Sequence, residues 1–213
     1  MSRQKEYIFF LIFTCVGFLA LQVKLTHLAG SRATFTLFDA FAPIAGAFLG
    51  TIPGILSVLI MQFLNFLFHG SSAMDVGFII RLVPMMFAVI YFSKQTKLSL
   101  IVPLIAMIAF LAHPIGQTVW FYSLFWIIPL LCYPFRNNLI AKSFGATFTA
   151  HAVGGALWIW AFNLPAQVWI GLIPIVIIER SLFALGIVVN YKFMARLLEL
   201  IPYLNLKQDP RST

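Results

Sequence analysis

Residues 35–60 read FTLFDAFAPIAGAFLGTIPGILSVLI, an apolar tract that holds one acid (Asp39), two prolines and a file of small residues. Ala42, Gly46, Gly50 and Gly54 recur at every fourth position, which puts them on one face of a helix. In lipid, helices gain little from hydrophobicity against each other, and small residues drive packing by letting backbones approach. The file therefore reads as a helix-packing ridge, provided that the solvent is lipid. Composition decides that point. Of 213 residues, 62% are hydrophobic and 9% charged, whereas soluble domains carry about a quarter charged residues.

The apolar runs are continuous, which excludes the alternation of a transmembrane β-barrel and leaves helices to satisfy the backbone in lipid. Runs at 7–23, 37–51, 53–68, 76–92, 98–112, 117–135, 143–162 and 168–191 predict about eight hydrophobic helices, within a range of six to eight. His113-Pro114-Ile115-Gly116 breaks the stretch from 98 to 135, and Thr51-Ile52-Pro53-Gly54 separates two short helices. The expected fold is an all-α polytopic membrane bundle in one transmembrane domain over 1–213, with a short polar tail at 197–213. The N-terminal stretch has no convincing small-residue cleavage site and reads as a retained first helix.

Charge gives the orientation. With the N-terminus inside, Arg3, Lys5, Lys94, Lys97, Arg136, Lys142, Lys192, Arg196, Lys207 and Arg211 fall on the inner side. Lys24 and Arg32 alone fall outside, and Arg81 and Arg180 stay within spans. This positive-inside pattern predicts both termini in the cytoplasm of a multi-pass protein of a prokaryotic inner membrane. It also accounts for the net charge of +8 without a nucleic-acid partner. Cys15 and Cys132 lie in apolar runs and read as buried packing residues, with no metal site and no cofactor expected.

The orientation sorts the rare polar residues by depth. Arg32, Asp39, Gln62, Asn65, Arg81, His113, Gln117 and the tryptophans Trp120 and Trp158 fall toward the outer half, and His151 falls mid-span. Together they form the candidate substrate-binding set. Asp39 opens a helix, where the dipole favours a carboxylate. Arg81 lies about 7 Å into its helix, where a charge costs on the order of 2.5–3.5 kcal/mol at mid-membrane. It reads either as a snorkelling anchor or as an anion-binding group in an outward cavity. Glu179 is expected to pair with Arg81 as a bundle lock, with a substrate or proton site as the second reading. Neighbouring residues project about 100° apart, so Glu179 and Arg180 are not expected to neutralise each other. His151 reads first as a histidine bonded to a neighbour. The tryptophans form an interfacial belt or a stacking wall, with Trp126 too deep for the belt.

The tract at 35–60 resembles the second and third helices of the substrate-binding S components of energy-coupling factor (ECF) vitamin transporters, the biotin-type members most of all. ERSLFALGIVVNYKFMARLLE, at 179–199, is similar to their last helix. The resemblance implies capture of a small water-soluble micronutrient from outside. It also implies docking on a transmembrane coupling subunit driven by a pair of ATPases. Members of that family have six helices, against eight runs here, and the first helix lacks their Ala-x-x-x-Ala docking motif. No G-x-x-x-x-G-K-[ST] occurs, so an energy source would be another chain. Two other readings stand beside this one. A non-transporting scaffold of a membrane assembly, MreD-like, needs lateral ridges and no pocket. An intramembrane enzyme needs a G-x-S-G or H-E-x-x-H motif, and the sequence contains neither.

Overall fold

A computed structural model describes residues 3–27, 34–69, 76–93 and 96–200. Arg32, Asp75, Lys94 and everything after Leu200 lie outside the described residues. Among the described residues the architecture is all-α apart from one hairpin. Helix α1 (Arg3–Leu21) leads into β1 (Lys24–His27), which pairs antiparallel with β2 (Thr34–Thr36). Thr26 stands opposite Phe35, and His27 opposite Thr34.

The tract that follows is not one continuous helix. It runs as α2 (Phe38–Phe41), a 3-10 turn (Ala42–Ile44) and α3 (Ala45–Phe48). Pro43 has no N–H to give the Asp39 carbonyl, so the α-helical ladder is interrupted there. The chain then turns at Gly50, whose φ of +87° suits a residue without a Cβ. The break expected at Thr51-Ile52-Pro53-Gly54 therefore falls one residue earlier. Pro53 sits in the first turn of α4 (Thr51–His69), where no intrahelical partner exists for its missing N–H.

Helices α5 (Val76–Phe92) and α6 (Leu98–Leu111) follow. The next run alternates between α7 (Pro114–Thr118), a 3-10 stretch (Trp120–Ile127), α8 (Ile128–Cys132) and a last 3-10 turn (Tyr133–Phe135). Pro129 and Pro134 each remove a donor from this run, which keeps its α-helical pieces short.

Helix α9 (Leu139–Phe162) is the centre of the molecule and packs on α5, α6, α8 and α10 (Ala166–Leu200). Asn138 starts it, its Oδ1 accepting the N–H groups of Ile140 at 2.9 Å and Ala141 at 3.3 Å. Small residues permit the close approach: Gly145 lies against the ring of Tyr91 and Gly155 against that of Trp126. Helix α10 has 35 residues and is about 52 Å long. It continues to Leu200, so the polar tail expected from 197 begins inside it.

Two apolar cores result. One joins α1 to α5 with the second half of α10, through Phe13, Phe41, Met61, Val89 and Ile187. The other joins α6, the 120–128 run, α9 and the start of α10, through Phe110, Tyr122, Trp126, Ile159 and Trp169. The exterior is also apolar: Ile178, Leu182, Val189 and Phe193 on α10 are all more than 60% exposed. Asp39, Gln62, Thr147 and Arg180 are buried instead. Among the described residues, Gln4–Leu21, Thr51–His69 and Ala166–Leu200 are long and apolar enough to cross a membrane. Cys15, expected inside, is exposed on α1, and Cys132 is half-buried; both are free thiols.

Candidate functional site

A cavity of about 120 Å³ borders both cores. The hairpin supplies Phe35, α2 Asp39, α5 Arg81 and Pro84, and the 3-10 stretch Tyr122. His151, Gly154, Gly155 and Trp158 come from α9, and Trp169, Val176, Glu179 and Arg180 from α10. Two ion pairs frame it.

The first pair closes the hairpin end. Asp39, 3% exposed, accepts the backbone N–H of Thr36 at 2.7 Å and lies 3.2 Å from Nη2 of Arg81. Nη1 of Arg81 donates to the carbonyl of Thr34. One guanidinium thus ties β2, α2 and α5 together. The buried carboxylate has both a charge partner and a hydrogen bond, as a buried charge requires.

The second pair is Arg180 with Glu179, 2.8 Å apart. The two side chains leave the helix in different directions, yet both are long enough to bend together, which corrects the expectation that they stay apart. Glu179 does not take Arg81 as its partner; Asp39 does. The other carboxylate oxygen of Glu179 accepts the Thr26 hydroxyl at 2.5 Å, so β1 is tied to α10. Phe35 lies between the two arginines, its ring centroid 4.4 Å from the guanidinium carbon of Arg180 and 5.5 Å from that of Arg81. Both strands of the hairpin are therefore fastened to cavity residues.

Two polar atoms in the wall are buried without a partner: Nε of Arg180 and Nε2 of His151. His151 stands among aromatic rings, with Tyr122 5.7 Å and Trp126 6.2 Å away between centroids. Trp169 is almost fully buried and donates its Nε1–H to the Leu164 carbonyl at 3.3 Å. The site thus offers aromatic faces, compensated charges and two unused polar groups.

Of the residues singled out from sequence, Asp39, Arg81, His151 and Trp158 meet at this cavity. The others lie elsewhere. Gln62 is buried on α4, and Asn65 accepts a hydrogen bond from Gln22, in the turn after α1, at 3.0 Å. His113 caps α7, its Nδ1 accepting the N–H of Ile115 at 3.2 Å. Gln117 and Trp120 are exposed, and Arg32 lies outside the described residues. Phe35, Tyr122, Trp169, Glu179 and Arg180 complete the wall without having been in the candidate set. For Glu179 and Arg180 the signal was present, as adjacent charges in mid-helix. Phe35 and Tyr122 carry none in a chain with 23 phenylalanines.

The small file divides. A Cβ on Gly46 would strike the backbone at Val89 of α5 and at Ser93 just after it, and one on Gly54 would press on Ala45 at 3.0 Å. Ala42 is fully buried. Gly50 faces open space, so it serves the turn and makes no contact, unlike the packing role expected of it.

Comparison with known proteins finds the chain similar to the uncharacterized protein MJ0923 of Methanocaldococcus jannaschii. The two are 24% identical over 203 residues, covering 84% of this chain and 68% of the relative. No family model matches the chain, and no solved structure matches it.

Proposed function

We propose that the chain is a membrane-embedded substrate-capture subunit, similar in role to an S component, that binds a small water-soluble solute in the cavity between α5, α9 and α10. In this reading its helical segments form one multi-pass bundle of about eight spans in a prokaryotic cell membrane, with both termini cytoplasmic. The observation that carries it is the cavity: aromatic walls and partly unsatisfied polar groups inside a molecule whose exterior is apolar. In the charge-derived orientation, the hairpin and the cavity lie in the outer half, where a nutrient arrives. Transport would need a coupling subunit and an ATPase pair from other chains, because the sequence has no nucleotide-binding loop. The scaffold reading needs a free lateral ridge, whereas Gly46 and Gly54 face contacts within this chain.

Thermal-shift measurements on detergent-purified protein across a vitamin and nucleobase panel test the capture role. A specific ligand at a hundred times its Kd stabilises by about 2.7 kcal/mol, an upward shift of several degrees. A panel without any shift at millimolar concentration removes the capture reading.

Orientation has its own test. In a background lacking Cys15 and Cys132, a cysteine at Leu25 is expected to react with an impermeant maleimide in intact cells. One at Glu199 is expected to react only after permeabilisation. Both positions are exposed, and the reverse pattern rejects the orientation.

A further inference from the structure

We infer that the cavity selects a net-neutral solute built on a single aromatic or heteroaromatic ring, with a carbonyl or amide edge turned toward Arg180 and His151. This inference rests on the capture reading above and narrows its substrate class.

Size is the first argument. An engineered cavity of about 150 Å³ lined by apolar side chains holds one benzene, and this one is about 120 Å³. That is room for one ring between the walls.

Wall chemistry is the second. Tyr122, Trp158 and Trp169 line the space together with the His151 ring, so a planar solute meets π faces. Gly154 keeps part of the α9 side open, since a Cβ there would meet only Pro84, at 3.5 Å across the space.

Charge is the third argument, and it reverses the sequence-based expectation of a charged group on the solute. Four ionised side chains line the cavity, and they cancel in pairs: Arg81 with Asp39, and Arg180 with Glu179. A solute carrying a net charge would enter with no counter-charge left to meet it, at the cost of stripping its hydration. An uncharged solute avoids that cost.

The polar edge follows from the two unpartnered atoms. Nε–H of Arg180 needs an acceptor, and Nε2 of His151 needs a donor or an acceptor according to its tautomer. Both residues belong to the wall, the two atoms themselves are covered so that a ligand meets them only after a turn of the side chain, and a buried polar group without a partner is destabilising. An amide edge, with a carbonyl beside an N–H, supplies what both lack.

The test compares near-isosteric pairs that differ in charge: nicotinamide with nicotinate, and benzamide with benzoate. Binding to detergent-purified full-length protein is read by calorimetry and by thermal shift. At least one neutral member is expected to bind, and its carboxylate twin to bind about tenfold more weakly or worse. Arg180→Lys keeps a cation for Glu179 but removes Nε–H, and His151→Phe keeps the ring but removes Nε2. Each is expected to weaken the neutral ligand about tenfold, and His151→Phe carries the test alone if Arg180→Lys does not fold. Carboxylates that bind as well as their twins overturn the inference, as do variants that bind like the parent. Binding of riboflavin or biotin with no single-ring ligand also overturns it while leaving the capture reading intact. Silence from both sets removes the two together.

Discussion

Arg81→Gln is expected to lower the melting temperature of the purified protein by about 6–12 °C, at 2–4 °C per kcal/mol for a chain of this size. The reason is the carboxylate that it abandons. Asp39 is 3% exposed and has Arg81 as its charge partner, and removing one member of a buried pair costs about 3–5 kcal/mol. Arg81 itself is 19% exposed, which puts the cost at the low end, about 3 kcal/mol. The same substitution frees the Thr34 carbonyl and so unfastens β2. Asp39→Asn in the Arg81→Gln background should recover part of the loss, because the orphaned charge is gone. A coupling of at least about 1 kcal/mol between the two sites is the expected cycle result. If Arg81 were a snorkelling anchor, Arg81→Gln would cost little and the two substitutions would add. Simple additivity is therefore the outcome that separates Arg81 from Asp39.

The helices are legible in the sequence because an apolar run long enough for several turns leaves the backbone few alternatives. The hairpin is not. Lys24–His27 is short and polar and offers no alternation long enough to mark a strand, and its pairing is fixed by side chains from α5 and α10. The 3-10 stretch at Trp120–Ile127 looks like a regular helix in sequence for a similar reason. Proline spacing hints at interruption, but apolar periodicity alone does not distinguish the two ladders. For the site, charge orientation sorts residues by depth along their helices and says nothing of rotation about them. Asp39, Arg81, His151 and Trp158 have the right depth and the right azimuth. Asn65 has a suitable depth and faces Gln22, just past the end of α1. Rotation is recoverable only from packing, above all from Gly145 and Gly155, which seat Tyr91 and Trp126 and thereby set the azimuth of α9.

Gly46 and Gly50 lie on the same sequence file but should respond differently to substitution. Gly46→Leu is expected to destabilise the protein by about 3 kcal/mol, the upper range for forcing bulk into a packed site. A Cβ there meets the carbonyl of Val89 and the amide of Ser93, and backbone at the end of α5 cannot swing aside as a flexible side chain can. Gly46→Ala should already be costly, since the obstruction begins at the first carbon. At Gly50 no atom lies within 4 Å of where a methyl group would stand, and the difficulty is a φ of +87°. Gly50→Ala should cost about 1–2 kcal/mol, the penalty for an L-residue in the left-handed region, and Gly50→Asn less, because asparagine tolerates that region better. Enlarging the side chain beyond alanine should therefore matter at Gly46 and hardly at Gly50. Melting temperatures of the five variants Gly46→Ala, Gly46→Leu, Gly50→Ala, Gly50→Asn and Gly50→Leu decide it. A steep dependence on size at Gly50 would mean that the turn packs against something, and a tolerated Gly46→Leu would mean that α3 does not rest on α5. The first would make the whole file a contact ridge again; the second would leave α3 free to face lipid or another chain.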